Sequence, residues 1–283
     1  MNTMRFIKYH GLGNDFILMD WTGSTFPFSK ESVPMLCDRH MGIGADGILL
    51  VETGTKTSYR MKIYNSDGSE AEMCGNGIRC FAKYLRDYRH VKDNPVDVET
   101  GKGVLSCLHV GAALHGGDEI QVSMGKPILE REKIPMSGTG DILNQTIIHE
   151  GRSFLFHAVS MGNPHMVLFG DATRATAEKY GPSFSRHPLF PKETNVEFAR
   201  VRTRSEIELT VYERGCGITM ACGTGACATV VAACLNGFVD FDTPVSVHLP
   251  GGALKIQVDN DLSDVLMTGP AVEVFRGEML DIS

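Results

Sequence analysis

Clustered basic charge is missing from this chain of 283 residues, which carries 27 Lys and Arg against 34 Asp and Glu, for a formal net charge of −7. Phosphate backbones are bound by grouped Lys and Arg side chains, so a nucleic-acid partner is not expected. No apolar run approaches the length of a membrane span, and the opening stretch MNTMRFIKYHGLGNDF lacks the apolar segment and cleavage site of an export signal. The expected location is therefore the cytoplasm, with no membrane association. Cys-x-x-Cys and the Cys/His spacings of zinc modules are also absent, so no metal site is expected. No low-complexity segment interrupts the chain. What remains is an ordinary globular composition, 42% hydrophobic and 22% charged, enough for one large or two medium domains. The eight cysteines, read in a reducing compartment, are expected as free thiols, most of them inert packing.

One phrase occurs twice. MCGNGIRC spans Met73 to Cys80 and ACGTGACA spans Ala221 to Ala228, which places Cys74 and Cys222 148 residues apart. Other features recur in the same order at offsets of 147 to 149: Gly13-Asn14 as Gly162-Asn163, Arg39-His40 as Arg186-His187, and the MKIY ending at Tyr64 as the LTVY ending at Tyr212. Val96-Asp97-Val98 returns as Val245-Ser246-Val247, and Gly103-Val104-Leu105 as Gly252-Ala253-Leu254. Ordered recurrence at a fixed offset is the mark of an internal duplication. Two homologous halves are expected, 1–122 and 123–283, joined by the irregular stretch GKPILEREKIPMSGTGD.

Short β-rich runs such as GILLV, SYRMKIY, VLSCLHV, SFLFHAV, NVEFARV and SEIELTVY alternate with Gly-, Pro- and Asn-rich turns, so strands dominate. Beyond Cys74, Ile78, Phe81, Ala82 and Leu85 fall on one helical face. Beyond Cys222, the run ACATVVAACL is small or apolar all round, which predicts a helix buried on every side. The expected fold is α/β of the α+β kind: two pseudo-symmetric domains, each a curved, mostly antiparallel sheet around a central helix, with an active site in the interdomain cleft.

A cysteine at a helix start has a chemical reason. The first turn leaves backbone N–H groups unpaired and carries partial positive charge, which stabilises a thiolate. Gly75 and Gly77, and likewise Gly223 and Gly225, leave those donors open to an anion. Two acid/base groups acting on opposite faces of one carbon suit racemisation or epimerisation, the helix starts holding a carboxylate that gains charge as the α-proton leaves. Cys37, Cys80, Cys107, Cys216, Cys227 and Cys234 are read as packing. GIGADG satisfies G-x-G-x-x-G, but a strand-like segment follows it where a dinucleotide fingerprint would open a helix.

KYHGLGNDF, GIGADG, YNSDGSEAEMCGNGIRC, SMGNPH, ETNVEF and ERGCGITMACGTGACA together resemble the diaminopimelate epimerase family over nearly the whole chain. The resemblance implies a cofactor-independent isomerase that interconverts LL- and meso-diaminopimelate in lysine and peptidoglycan precursor synthesis. It implies Cys74 and Cys222 as the acid/base pair, with Glu213 and His165 beside the chemistry. It further implies Asn14, Asn65, Gly75, Asn76, Asn163, Asn195, Arg214, Gly223 and Thr224, with Glu213, as substrate-binding residues, and a homodimer formed through the first half and a returning strand around Phe275. Two departures stand out: Gly47 where some members carry Gln, and Ile218 where Glu is expected. Two other readings stay open, a proline or hydroxyproline racemase-like enzyme, whose relatives carry His where this chain has Asn76, and a thiol redox protein.

Overall fold

The computed structural model describes residues 3–22, 30–114 and 116–280. In chain order the elements begin with β1 (Thr3–Gly11), β2 (Asn14–Asp20), α1 (Val33–Cys37), β3 (Gly47–Thr53), β4 (Tyr59–Asn65), β5 (Glu70–Ala71), α2 (Gly75–Tyr88), β6 (Val96–Thr100), β7 (Gly103–Ala112) and β8 (Asp118–Ser123). They continue with β9 (Gln145–His149), β10 (Arg152–Ser160), β11 (Pro164–Phe169), α3 (Arg174–Ser185), β12 (Asn195–Thr203), β13 (Glu206–Glu213), β14 (Gly217–Ile218), α4 (Gly223–Leu235), β15 (Val245–Leu249), β16 (Gly252–Val258) and β17 (Val265–Leu280). Two compact units result: the chain up to Val122 together with Thr268 onward, and Ser123–Met267. The long β17 leaves the second unit at Met267 and completes the first.

In the first unit β1 pairs antiparallel with β2, β2 parallel with β3, β3 antiparallel with β4, β4 parallel with β6, and β6 through β7 to β8 antiparallel. β17 pairs with both β8 and β1, so the strands close into a ring. The ring surrounds α2, which packs against β1, β2, β3, β4 and β7. Its apolar stripe of Ile78, Phe81, Ala82 and Leu85 supplies the buried face, and Leu85 and Ile78 have no exposed surface. β3 is buried on both faces from Gly47 to Val51, because α1 covers the outside through Val33, Leu36 and Cys37.

The second unit repeats this order. β10 pairs antiparallel with β11, β11 parallel with β12, β12 antiparallel with β13, β13 parallel with β15, and β15 antiparallel with β16. The short β14 pairs with β13 as β5 pairs with β4. α4 packs against β10, β11, β12 and β16 and is buried from Gly225 to Cys234, as its small and β-branched composition requires. α3 covers the outside of β12 and β13 with Tyr180 and Phe184. Matching registers make the equivalences exact at the level of residues: Ile48 stands opposite Tyr64 as Val196 stands opposite Tyr212, and Phe16 opposite Gly47 as His165 opposite Asn195.

Candidate active site

The first unit builds its half around Cys74, the residue that caps the start of α2 in extended conformation (φ −137°, ψ 123°). Asn14, at the start of β2, lies beside it: the thiol donates to Asn14 Oδ1 at 3.6 Å, and Asn76 Nδ2 donates to the same oxygen at 3.1 Å. Asn14 Nδ2 in turn donates to Asp46 Oδ2 at 2.9 Å. Arg39 bridges Asp46 and Asp15, and the buried Lys8 pairs with Asp15 at 2.7 Å. Burial raises the Asp15 carboxyl, but the hydrogen bonds from Arg39 and Lys8 outweigh it and hold the group well below the usual carboxylate range. Asn76 is fixed from behind by Arg79, which is fully buried and donates to Asn76 Oδ1 and to Gly75 O, both at 2.9 Å. Gly11 packs directly on this pair, since a Cβ there would stand 2.9 Å from the Arg79 guanidinium and 3.2 Å from Asn76 Cβ. Asn65 is exposed at the end of β4 and holds its turn by donating to Ser69 Oγ at 2.9 Å.

The second unit places Cys222 at the start of α4 in the same extended conformation (φ −122°, ψ 108°), but buried. The sulfur lies 3.6 Å from Thr224 Oγ1, and Asn163 Nδ2 donates to that hydroxyl at 3.3 Å. Asn163 and Thr224 thus repeat the partnership of Asn14 and Asn76. His165, in β11, has both ring nitrogens engaged: Nε2 meets Asn163 Oδ1 at 3.1 Å and Nδ1 meets Glu197 Oε1 at 2.7 Å. Glu213, at the end of β13, accepts from Thr219 Oγ1 at 2.5 Å. Asn195 is buried at the start of β12, giving one Nδ2 hydrogen to Pro164 O and accepting the Arg214 N–H at 2.9 Å. Arg214 is exposed, with its guanidinium on Lys192 O.

Electrostatics set this half apart. Burial pushes the Cys222 thiol well above the usual thiol range, and Glu213 and Glu197 push the same way, against the Thr224 hydroxyl and the Gly225 N–H. Burial also raises both carboxyls; Thr219, Cys222 and His165 oppose it at Glu213, and His165 opposes it at Glu197. Glu197 is missing from the sequence-based site. The signal for it is a glutamate in the third position of a strand that is buried from Asn195 through Ala199.

Among the described residues no group of three or more His, Cys, Asp and Glu stands ready to hold a metal ion. None of the eight cysteines is joined to another in a disulfide. Cys216 corrects the expectation of packing: it is exposed, in a turn where Gly215 and Gly217 take φ of 78° and 81° and lead the chain away from the core. Gly47 cannot carry a side chain in this backbone, because a Cβ would stand 2.5 Å from Tyr64 O. Ile218 packs against the core of the second unit beside Tyr212.

The model of the diaminopimelate epimerase family matches residues 6–130 and 157–274. The chain belongs to that family. A diaminopimelate epimerase of Desulfitobacterium hafniense is 47% identical over 283 residues, covering 98% of this chain and 99% of its own. One from Moorella thermoacetica is also 47% identical, over 97% of this chain and 99% of its own. Among solved structures, a Bacillus anthracis phenazine biosynthesis protein of the PhzF family aligns with a TM-score of 0.71 at 15% identity, over 99% of this chain and 100% of its own. A probable proline racemase from Agrobacterium radiobacter K84 aligns at 0.73 and 12% identity, over 99% and 93%. At such identities the two structures share the fold of the family member described here.

Proposed function

We propose that this family member interconverts LL- and meso-2,6-diaminopimelate with Cys74 and Cys222 as its acid/base pair and without pyridoxal phosphate. The observation that carries the reading is the paired construction: in each unit a cysteine opens a helix on a Gly-x-Gly turn, with an asparagine from the β1–β2 or β10–β11 connection, Asn14 or Asn163, bonded to the second residue of that helix. One cysteine removes the α-proton and the other delivers a proton to the opposite face of the carbon. The helix starts at Gly75-Asn76 and Gly223-Thr224 receive the reacting carboxylate, whose oxygens gain charge as the proton leaves. Asn14, Asn65, Asn163, Asn195 and Arg214 hold the remaining charged groups of the substrate, Asn195 also accepting the Arg214 backbone N–H, and Glu213 and His165 tune Cys222. Such an enzyme serves lysine and peptidoglycan precursor synthesis in the cytoplasm, as a homodimer. Among the described residues no helix is long and apolar enough to cross a membrane.

Incubation with LL-diaminopimelate and, separately, with L-proline tests the substrate, on protein freed of pyridoxal phosphate. Epimerisation of diaminopimelate alone is expected. In deuterated water, early product carries solvent deuterium while unreacted substrate keeps its hydrogen, because the proton removed is never the one returned. Early product that retains hydrogen overturns the two-base assignment, and turnover of proline alone overturns the substrate.

A further inference from the structure

One buried polar pair has no counterpart in the duplication. His165 and Glu197 have no exposed surface and meet at 2.7 Å. The register makes Phe16 equivalent to His165, and Leu49, opposite Leu18, equivalent to Glu197, opposite Val167. Phe16 and Leu49 are themselves buried, at 2% and 0% exposure. Both versions pack on the second glycine of the cysteine helix: a Cβ on Gly77 would meet Leu49 Cδ2 at 3.1 Å, and one on Gly225 would meet Glu197 Oε1 at 2.9 Å. An apolar pair therefore fills this place in the fold. A buried ionisable pair is the costlier choice, since desolvation offsets much of its mutual attraction. Packing alone does not account for it.

The pair begins a continuous path to the thiol. Glu197 Oε1 holds His165 Nδ1, His165 Nε2 meets Asn163 Oδ1 at 3.1 Å, Asn163 Nδ2 reaches Thr224 Oγ1 at 3.3 Å, and that hydroxyl lies 3.6 Å from Cys222 Sγ. Each polarity in the path follows from the one before it. Asn163 can give its N–H to Thr224 only if its oxygen faces His165, and that oxygen needs a hydrogen on Nε2. With a hydrogen on Nε2, two lone pairs would oppose each other at 2.7 Å unless a proton lies between Nδ1 and Glu197. The second carboxyl oxygen, Oε2, is buried with no hydrogen-bond partner among the described residues, while Oε1 is held at 2.7 Å by His165 Nδ1.

We propose that Glu197 is a positioning residue of the reaction: it supplies the proton that fixes the Nε2–H tautomer of His165, and thereby aims Asn163 and Thr224 at Cys222 and the reacting carboxylate. The proposal rests on the epimerase reading for its kinetic consequence, but the tautomer is a property of the protein alone. Glu197→Gln still offers an N–H to Nδ1, whereas Glu197→Leu, which copies the repeat, offers nothing. The double variant His165→Phe with Glu197→Leu installs the whole apolar pair of the first unit.

Nitrogen-15 NMR of the full-length wild-type protein is expected to show His165 carrying hydrogen on Nε2, unchanged in Glu197→Gln and lost as a single form in Glu197→Leu. Turnover of LL-diaminopimelate should fall by about 10–100-fold in Glu197→Leu, taking as a guide the loss when the orienting partner of a metal-ligating imidazole is removed. Glu197→Gln should recover most of that loss. The double variant should melt near the wild-type temperature yet show the loss. A wild-type His165 with hydrogen only on Nδ1, or a Glu197→Leu enzyme as fast as Glu197→Gln, overturns the proposal. Wild-type protein inert toward LL-diaminopimelate but with the Nε2–H form intact would instead count against the substrate reading.

Discussion

Cys74 and Cys222 occupy equivalent helix starts in unlike surroundings. Cys74 is partly exposed beside neutral amides, while Cys222 is 5% exposed and stands near Glu213 and Glu197. A thiol reacts as its thiolate, and burial away from water disfavours that form. At neutral pH, iodoacetamide should therefore label Cys74 before Cys222, and Cys222 should gain reactivity only as pH rises above the ordinary thiol range. Peptide mass spectrometry of partly labelled protein reads the order directly, and Cys222 labelled first at neutral pH would contradict it. The two cysteines are legible in the sequence because their context repeats. Their difference is not, because it comes first from how deeply each sulfur is buried, and Glu213 and Glu197, 9 and 25 residues upstream, are brought near Cys222 only through strand register.

At the scale of elements, the two cysteine helices differ in how much room their second glycine has. Alanine is the better helix former by up to about 1 kcal/mol. In Gly77→Ala the new methyl meets the end of a Leu49 side chain at 3.1 Å, a contact that a small rotation relieves, so stability should change little. In Gly225→Ala it meets Glu197 Oε1 at 2.9 Å, an oxygen tied to His165, and Cys222 Sγ at 3.3 Å. That variant should lose about 1–3 kcal/mol, the cost of overpacking, with a matching drop in thermal midpoint. Equal melting of the two variants would show that the Glu197 side gives way as easily as Leu49. The helices themselves, and the contrast between a one-sided α2 and an all-round buried α4, were readable from periodicity, since a helix repeats every 3.6 residues whatever it packs against.

For the molecule as a whole, the duplication is visible as one pairing order used twice, and β17 is the element that breaks the parallel by returning to the first unit. Opposite Lys8 and Tyr9 its register shifts, leaving Val274 without a pairing residue. Val274 and Phe275 are 53% and 46% exposed, and Phe275 sets its ring edge-on to Phe6 at 6.0 Å. These exposed apolar side chains are the surface on which the proposed homodimer would be built. Phe275→Asp should convert a dimer to a monomer in sedimentation equilibrium, with the melting profile of the isolated chain retained. A wild-type protein that sediments as a monomer, or a variant that stays dimeric, would remove this surface from the interface.

Local pattern was enough to reveal the strand-rich segments and the two cysteine-bearing helices, which depend on residue types at short, regular spacing; the repeat was legible as phrases recurring at one long offset, and the family as a resemblance of whole motifs. Tertiary structure alone decided what those residues touch. Asn195 was set to accept the Arg214 backbone N–H, Gly47 was forced by the Tyr64 carbonyl, Cys216 was turned outward, and Glu197 was buried against His165 and the start of α4. The physical reason is the same in each case: a strand alternates its side chains between two faces, but which partner waits on each face is set by the register of a neighbour tens of residues away.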